Sequence, residues 1–122
     1  MKRKSVSQCG VDIVEVNRVK NIARRNKYFL QRVFAPREIK YCMGKKFKWQ
    51  HFAVRFAAKE AVWKAVGLRG LRLQDISIAN APDGKPRVLI RGKQKKLGEK
   101  ISISLSHTGD VAIAMAVWNG AS

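Results

Sequence analysis

The chain opens with a strand pattern followed by a helical one. Over residues 7–14, apolar residues alternate with polar ones or glycine, which predicts a β-strand with one apolar side. Asp12 falls on the polar side of this strand. From residue 15 to about residue 27, apolar residues recur at intervals of three, which predicts a helix directly after the strand. The apolar strand positions are Cys9, Val11 and Ile13.

Two further helices are predicted next along the chain. Pro36 suits the first turn of a short helix over residues 37–43, because a first turn leaves its amide hydrogens unpaired and proline has none. A long helix covers residues 49–67, and Gly67 suits its C-terminal end. Every fourth residue on one side of this helix is small, which lets another element approach closely. These residues are Ala53, Ala57, Ala61 and Ala65.

The second half of the chain predicts β-structure. Residues 82–86 form a strong turn, and the polar connection at residues 92–100 has room for a short helix. Predicted strands cover residues 76–79, 87–91, 101–106 and 111–117. The last strand carries alanine on one side, which we predict to receive the alanine side of the long helix. We therefore predict one α+β domain over residues 1–122, with a small antiparallel or mixed sheet packed on a long buried central helix.

Composition adds a strong positive charge to this outline. The 26 Lys and Arg residues against 8 Asp and Glu residues give a formal net charge of +18. Such a field attracts polyanions, and charge alone does not choose between nucleic acid, nucleotide phosphates, acidic proteins and anionic lipid. A hydrophobic content of 46% argues against a disordered chain.

The pattern favours a cytoplasmic protein. The longest apolar run, Val111–Trp118, is far too short to cross a bilayer. Polar residues follow the basic residues 2–4, where a secretion signal needs an apolar stretch. Cys9 and Cys42 lack the spacing of metal ligands and suit free thiols in a reducing compartment.

The long helix carries a carboxylate where its surface is apolar. Glu60 has Phe56 four residues before it and Trp63 three residues after it. A carboxylate set among apolar side chains costs several kcal/mol unless another group compensates its charge. The compensating group is Lys64, a metal ion, or both. If Glu60 is exposed instead, its pairing with Lys64 contributes only a few tenths of a kcal/mol.

Asp12 is a second candidate carboxylate. It is either a metal ligand or a solvated acid that complements the start of the following helix. Mg²⁺ prefers one or two protein carboxylates, with water and phosphate oxygens completing its coordination. Asp12 and Glu60 fit that preference, and Lys64 would neutralise phosphate charge beside them.

A cluster of polar residues ends one predicted strand. Ser106, His107 and Thr108 either stabilise the turn that follows or donate hydrogen bonds to a phosphate. Nucleophilic catalysis by Ser106 and His107 is disfavoured, because adjacent residues of a strand point to opposite sides.

Three arginines are spaced by seven residues. Arg18, Arg25 and Arg32 share one side of the first helix if that helix extends far enough. They form either an ordinary solvated face or a docking ridge for an acidic partner, which would act on association rate and orientation.

Four segments occur in an order that resembles a known family. They are GVDIVEVNRV from Gly10, FAAKEAVWKAVG from Phe56, DGKPRV from Asp83 and SLSHTGDVAIAMAV from Ser104. Together they resemble the holo-[acyl-carrier-protein] synthases, the small single-domain group of the 4′-phosphopantetheinyl transferases. The resemblance extends from residue 10 to about residue 117. The second segment, with a lysine four residues after its glutamate, is the specific one.

The resemblance implies a reaction. The 4′-phosphopantetheine arm of coenzyme A moves to a serine hydroxyl of apo acyl carrier protein, and adenosine 3′,5′-bisphosphate is released, in support of fatty acid biosynthesis. The family requires Mg²⁺ and is usually a homotrimer with active sites between subunits. Because the serine belongs to the partner, the enzyme needs no nucleophile of its own.

The resemblance also assigns site residues by position. Asp12 and Glu60 match the metal ligands, and Glu60 and Lys64 match the catalytic residues. The base that takes the serine proton is either Glu60 or a metal-bound water oriented by Glu60. The coenzyme A pocket would include Arg55, Lys64, Lys85, Pro86, Ser106, His107 and Thr108. The carrier protein would meet Arg18 and Arg25, with Arg32 as the continuation of the ridge.

Two other functions compete with this interpretation. A nucleic-acid-binding module would explain the charge, but it needs aromatic residues interleaved with basic ones on an exposed surface. Phe52, Phe56 and Trp63 are expected in the core, which leaves Phe47 and Trp49 in the Lys-rich loop. A relative that binds coenzyme A without catalysis is disfavoured by the retained carboxylates and lysine. We therefore expect neither a nucleic-acid partner nor a membrane.

Overall fold

The computed structural model describes residues 7–67 and 70–120. In chain order its strands and α-helices are β1 (Gln8–Glu15), α1 (Val16–Arg25), α2 (Phe29–Val33), α3 (Pro36–Met43), α4 (Lys48–Val66), β2 (Ile76–Asn80), β3 (Pro86–Ile90), β4 (Ile101–His107) and β5 (Val111–Trp118). Two 3₁₀ helices, Leu73–Asp75 and Gly92–Lys100, lie in the connections. The basic residues 2–4, from which we argued against a secretion signal, lie outside the described residues.

The predicted α+β class is confirmed, with two differences in detail. The helix predicted over residues 15–27 ends at Arg25, because Asn26 has an extended backbone, and α2 follows as a separate short helix. The strands form two antiparallel sheets, in the orders β1–β5–β4 and β2–β3, where one sheet was expected.

Helix α4 lies at the centre of the fold. Its alanine side is at most 1% exposed, and the helix packs against β1 and β5. The alanines of β5 are equally buried, so the predicted contact between the two alanine sides is confirmed. Gly67 ends the helix with a left-handed backbone (φ 65°) that glycine adopts without strain. Among the described residues, neither α4 nor any other helix is long and apolar enough to cross a membrane.

Strand β1 turns its less apolar side to α4, the reverse of the usual arrangement. Gly10 is buried, whereas Val11 and Ile13 are 55% and 66% exposed. A Cβ atom on Gly10 would overlap the carbonyl oxygen of Ala61 and lie 2.8 Å from the backbone nitrogen of Ala65. Only glycine permits this approach, so it sets which side of the strand faces the helix and leaves the branched residues outside.

A buried ion pair connects α3, α4 and β2. The Lys59 ammonium and the Glu38 carboxylate are both fully buried and lie 2.5 Å apart. Lys59 also donates to the carbonyl oxygens of Leu73 and Ile76. Glu38 accepts from two backbone amides, those of Ala35 at 2.9 Å and Ile78 at 3.0 Å. Every one of these charged groups is therefore hydrogen-bonded, as a buried pair requires.

The expectation that Trp63 lies in the core is wrong. Its side chain is 44% exposed, and its indole N–H donates to the carbonyl oxygen of Leu71 at 3.0 Å. Phe52 is fully buried and Phe56 is partly buried, as expected. The hydrogen bond to Leu71, a residue beyond the helix, keeps the indole at the edge of the core.

Candidate active site

The structure brings Asp12, Glu60 and Lys64 together where β1 crosses α4. Lys64 Nζ lies 3.1 Å from Asp12 Oδ1 and also donates to the Val11 carbonyl oxygen at 3.1 Å. Glu60 is partly buried on the helix, which agrees with the expectation that it is not fully exposed. Within the described residues, Lys64 is paired with Asp12 and not with Glu60.

The Glu60 carboxyl is less acidic than an ordinary glutamate. Burial raises its pKa, the nearby Asp12 carboxylate raises it further, and Lys64 partly opposes both effects. Two carboxylates that repel each other in this way make a site that favours a cation.

The donor set suits a hard divalent cation such as Mg²⁺. Within residues 7–67 and 70–120, no group of three or more His, Cys, Asp or Glu side chains gathers to hold a metal. Asp12 and Glu60 together therefore offer a cation two carboxylates. Mg²⁺ is held by such pairs because water and substrate phosphates fill its other positions, whereas Zn²⁺ normally takes three or four protein ligands.

A cleft of about 1320 Å³ lies beside α4, walled by α3, β3 and β4. Four of the residues predicted for a coenzyme A pocket line it, namely Arg55, Lys85, Pro86 and His107. Further basic side chains share the wall, including Arg37, Arg87, Arg91 and Lys95. A concave surface with this charge suits a ligand that carries several phosphates.

Two other predicted pocket residues lie outside the cleft lining, Ser106 within β4 and Thr108 in the turn after it. Ser106 and Thr108 are exposed near the end of β4, outside the part of the chain that lines the cleft. The Thr108 N–H donates to the Val111 carbonyl oxygen at 2.9 Å, and the Asp110 N–H donates to Thr108 Oγ1 at 3.4 Å. In this single chain, Thr108 has the turn role that the sequence left open.

Arg55 is the strongest pointer to an anionic ligand. Only 5% of the residue is exposed, and its guanidinium carbon lies 4.4 Å from the centre of the Tyr41 ring. Among the described residues, its buried Nε has no hydrogen-bond partner. A buried donor left without a partner costs about 1–3 kcal/mol, so an acceptor supplied by a ligand would stabilise it.

The cleft and the carboxylates occupy different sides of α4. At about 100° per residue, Glu60 is rotated about 140° from Arg55, and Lys64 about 180°. The cleft lining accordingly includes Arg55 but none of Asp12, Glu60 and Lys64. In one chain, the basic cleft and the carboxylate pair therefore face away from each other.

The outer side of the β1–β5–β4 sheet is an exposed apolar patch. Val11 lies opposite Met115, and Ile13 lies opposite Ile113. All four side chains are between 40% and 66% exposed. On β4, Ser104 pairs with Met115 on this same side and also lines the cleft, so the patch borders the cleft. An apolar patch of this kind is typical of a protein interface.

The three arginines of the predicted docking ridge do not share one helix. Arg18 and Arg25 lie exposed on α1, and Arg32 lies exposed on α2, after the break at Asn26. The Arg32 guanidinium carbon sits 5.6 Å from the centre of the Tyr28 ring. The condition of a continuous helix is therefore not met, and a partner-binding role for these residues stays a prediction.

Besides the further basic residues of the wall, sequence analysis missed three residues that meet at one end of the cleft. Tyr41 and His51 line it, and Lys45 lies over the Tyr41 ring at 4.6 Å. His51 precedes Arg55 by four residues, so the two share one side of α4. The four-residue spacing of His51 and Arg55 was the available signal, but the apolar residues between and around them made this segment look like a core helix.

Comparisons with known proteins identify the family of this chain. Residues 8–116 match the model of the 4′-phosphopantetheinyl transferase superfamily. A holo-[acyl-carrier-protein] synthase of Geotalea daltonii is 50% identical over an alignment 117 residues long. The match covers 88% of this chain and 94% of the relative.

Solved structures show the same likeness. The synthase of Neisseria meningitidis superposes with a TM-score of 0.81 at 30% identity, over 91% of this chain and 96% of that one. The Helicobacter pylori synthase, solved in complex with coenzyme A, superposes with a TM-score of 0.76 at 32% identity, over 88% and 96% of the two chains. The chain described above therefore belongs to the 4′-phosphopantetheinyl transferase superfamily and, within it, to the enzymes called holo-[acyl-carrier-protein] synthases.

Proposed function

We propose that this enzyme transfers 4′-phosphopantetheine from coenzyme A to a serine hydroxyl of apo acyl carrier protein, releasing adenosine 3′,5′-bisphosphate. The observation that carries the proposal is the basic cleft in which buried Arg55 has a donor without a partner in the described part of the chain. The Helicobacter pylori relative, solved with coenzyme A, supports a coenzyme A ligand for such a cleft. The carboxylate and lysine group formed by Asp12, Glu60 and Lys64 would supply the reacting end of the site.

The residues present account for the chemistry of transfer. The serine oxygen attacks the phosphorus that carries the pantetheine arm, and the bond from that phosphorus to the oxygen of the nucleotide phosphate breaks. Glu60, whose pKa is raised, accepts the serine proton directly or through a water that it orients. Lys64 stabilises negative charge on the phosphate oxygens as a point donor. The released nucleotide phosphate leaves as the anion.

Mg²⁺ is part of the proposal. Asp12 and Glu60 would hold it, and it would neutralise the charge of the two bridging phosphates when bound. The mutual repulsion that raises the Glu60 pKa supports a cation between these carboxylates. Lys64, now paired with Asp12, would then be free to contact phosphate.

We also propose a homotrimer in which neighbouring copies share each active site. The cleft and the carboxylates face away from each other within one chain, so one ligand reaches both sets only if they come from two chains. The apolar patch formed by Val11, Ile13, Ile113 and Met115 supports contact with a second copy beside the cleft. Closed rings of identical contacts are a common form of such assemblies.

The carrier protein would approach along α1. This helix begins four residues after Asp12, so the exposed Arg18 and Arg25 stand close to the carboxylates along the chain. An acidic partner would be oriented by them and by Arg32. The proposal places the reaction in the cytoplasm, in fatty acid biosynthesis. The free thiols of Cys9 and Cys42 are compatible with that compartment.

Intact-mass spectrometry tests the reaction directly. Apo acyl carrier protein is incubated with the enzyme and coenzyme A, once with Mg²⁺ and once with EDTA. We expect the carrier protein to gain the mass of one phosphopantetheine with Mg²⁺ only. A carrier protein whose serine is replaced by alanine is the control and should gain nothing. If several apo carrier proteins remain unmodified in Mg²⁺, the proposed transfer is wrong.

Mixing two inactive variants tests the shared site. Arg55→Ala removes the cleft half and Glu60→Gln removes the carboxylate half, so each variant alone should be inactive. When the two are co-expressed in equal amounts and assemble at random, about one third of the sites in each mixed trimer, and so roughly a quarter of all sites, receive both intact halves, and activity should return to about a quarter of the wild-type value. Light scattering confirms the assembly, and mass spectrometry confirms mixing. Mixed assemblies without activity would show that each site lies within one chain.

A further inference from the structure

Trp63 is an exposed aromatic residue on the same helix as Glu60, three residues further along. It is 44% exposed, and its indole N–H donates to the Leu71 carbonyl oxygen at 3.0 Å, which holds the ring against the chain beyond α4. Phe56, seven residues earlier, lies within about 20° of Trp63 around the helix. The Phe29 ring from α2 packs on Phe56, with 6.0 Å between the ring centres. This side of α4 is therefore covered at Phe56 and open at Trp63.

Around α4, Glu60 lies between Trp63 and Lys64. At about 100° per residue, Trp63 is about 60° from Glu60 in one direction, and Lys64 is about 40° from it in the other. Lys64 contacts β1, through the Asp12 carboxylate and the Val11 carbonyl oxygen. Trp63 therefore borders the Glu60 carboxyl on the side away from β1.

In-line transfer separates the two substrates around Glu60. The attacking and leaving oxygens lie on opposite sides of the transferred phosphorus. In the proposed homotrimer, the neighbouring copy holds the nucleotide end of coenzyme A and meets the outer side of β1. The nucleotide phosphate then leaves towards β1 and Lys64. The serine of the carrier protein has to arrive from the opposite side, which is the side of Trp63.

We propose that Trp63 is a specificity-determining residue, on which an apolar side chain next to the reactive serine of the carrier protein packs. The inference rests on the proposed function, because it names a contact of the proposed partner. Tryptophan is enriched among the residues that contribute most of the binding energy of protein interfaces. Arg18 and Arg25 would attract and orient any acidic partner, whereas Trp63 would select among acidic partners by the shape of the surface beside the serine.

The pantetheine arm is the other group with apolar atoms near the transferred phosphorus. The attacking and leaving oxygens occupy the in-line axis, so the oxygen that carries the arm lies across that axis. The arm therefore extends sideways from the direction of attack and leaves the side of the serine open. For this reason the geometry favours the carrier protein as the group that covers Trp63.

Steady-state kinetics of the mass gain, with carrier protein and coenzyme A varied in turn, tests this inference. Trp63→Gln removes the aromatic surface and keeps a good helix former with a side-chain N–H, whereas Trp63→Phe keeps most of the apolar surface. Met43→Gln is the matched control, because Met43 is 50% exposed at the end of α3 and lies outside the cleft lining. Thermal unfolding shows that each variant is folded.

We expect Trp63→Gln to raise the KM for carrier protein about tenfold or more and to leave the KM for coenzyme A within about twofold of wild type. Trp63→Phe should recover most of the loss, and Met43→Gln should keep both wild-type values. The effect of Trp63→Gln on the carrier protein should be the same at low and at high ionic strength, because salt does not screen an apolar contact.

A double-mutant cycle identifies the group that packs on Trp63. Each apolar residue of the carrier protein beside its serine is replaced by alanine in turn. One of these replacements should raise the KM severalfold with wild-type enzyme and have little effect with Trp63→Gln. An unchanged KM for carrier protein in Trp63→Gln, or an equal rise in the KM for coenzyme A, would overturn the inference. Failure of wild type to modify any carrier protein would instead overturn the proposed function.

Discussion

Replacing Glu60 with glutamine should lower the rate of phosphopantetheine transfer by about a thousandfold or more. Glutamine has nearly the same shape, but it neither accepts the serine proton nor contributes negative charge to a divalent cation. Burial and the Asp12 carboxylate raise the pKa of Glu60, so the surroundings of this carboxyl already influence whether it is ionised. The rate is measured from the mass gain of apo acyl carrier protein at saturating Mg²⁺.

The same variant should be no less stable than wild type when divalent cations are absent. A carboxyl whose folded-state pKa lies above its ordinary value of 4.5 contributes favourably to stability below that value. This contribution is lost as the pH rises through the folded-state pKa. At neutral pH the ionised Glu60 therefore opposes folding, and glutamine removes that effect.

A matched control separates catalysis from damage to the fold. Glu15→Gln changes an exposed glutamate at the end of β1 and should keep wild-type activity. Thermal unfolding in EDTA should give Glu60→Gln a melting temperature equal to or above that of wild type. Mg²⁺ should raise the melting temperature of wild type but not of this variant. A Glu60→Gln enzyme that retains transfer activity would exclude Glu60 as both base and metal ligand.

Replacing Lys59 with methionine should lower the free energy of unfolding by about 3–5 kcal/mol. The substitution removes the cation and leaves the Glu38 carboxylate fully buried without its partner. The carbonyl oxygens of Leu73 and Ile76 lose a donor at the same time. Removing only one partner of a buried ion pair is costly, because the other charge stays buried without compensation.

The exposed pair between Arg72 and Asp75 provides the comparison. Its atoms lie 3.2 Å apart, but the Arg72 side chain is 63% exposed. Arg72→Met should therefore change the free energy of unfolding by at most about 1 kcal/mol. Both variants are measured by urea denaturation at one fixed protein concentration, because the proposed trimer couples stability to concentration.

A double variant tests the cause of the loss. Adding Glu38→Leu to Lys59→Met removes the unpaired charge and should restore part of the lost stability. Recovery should be incomplete, because the backbone amides of Ala35 and Ile78 then lose their acceptor. If Lys59→Met is no more destabilising than Arg72→Met, then the buried pair does not stabilise the fold in the way described.

Local pattern along the chain is enough to predict most of the helices and strands and where most of them end. Strand and helix periods, the stop at Gly67 and the turn at residues 82–86 depend on neighbours along the chain, so local pattern predicted them. The two matching alanine sides also predicted the contact between α4 and β5, because only small residues permit such a close approach. Asp12, Glu60 and Lys64 were candidates from their chemistry, the resemblance assigned their roles, and the structure brings them together.

Which surfaces are covered and which groups meet depends on how the elements pack, and local pattern does not contain that information. The side of β1 that faces α4 depends on Gly10 meeting the backbone of Ala61, and alternation along the strand does not contain that contact. The side chain of Lys59 is completely buried, because the Glu38 carboxylate from α3 compensates its charge. The cleft and the carboxylate pair lie on different sides of α4. In each case the outcome depends on contacts between segments distant in sequence, because burial and electrostatic compensation are properties of the packed chain.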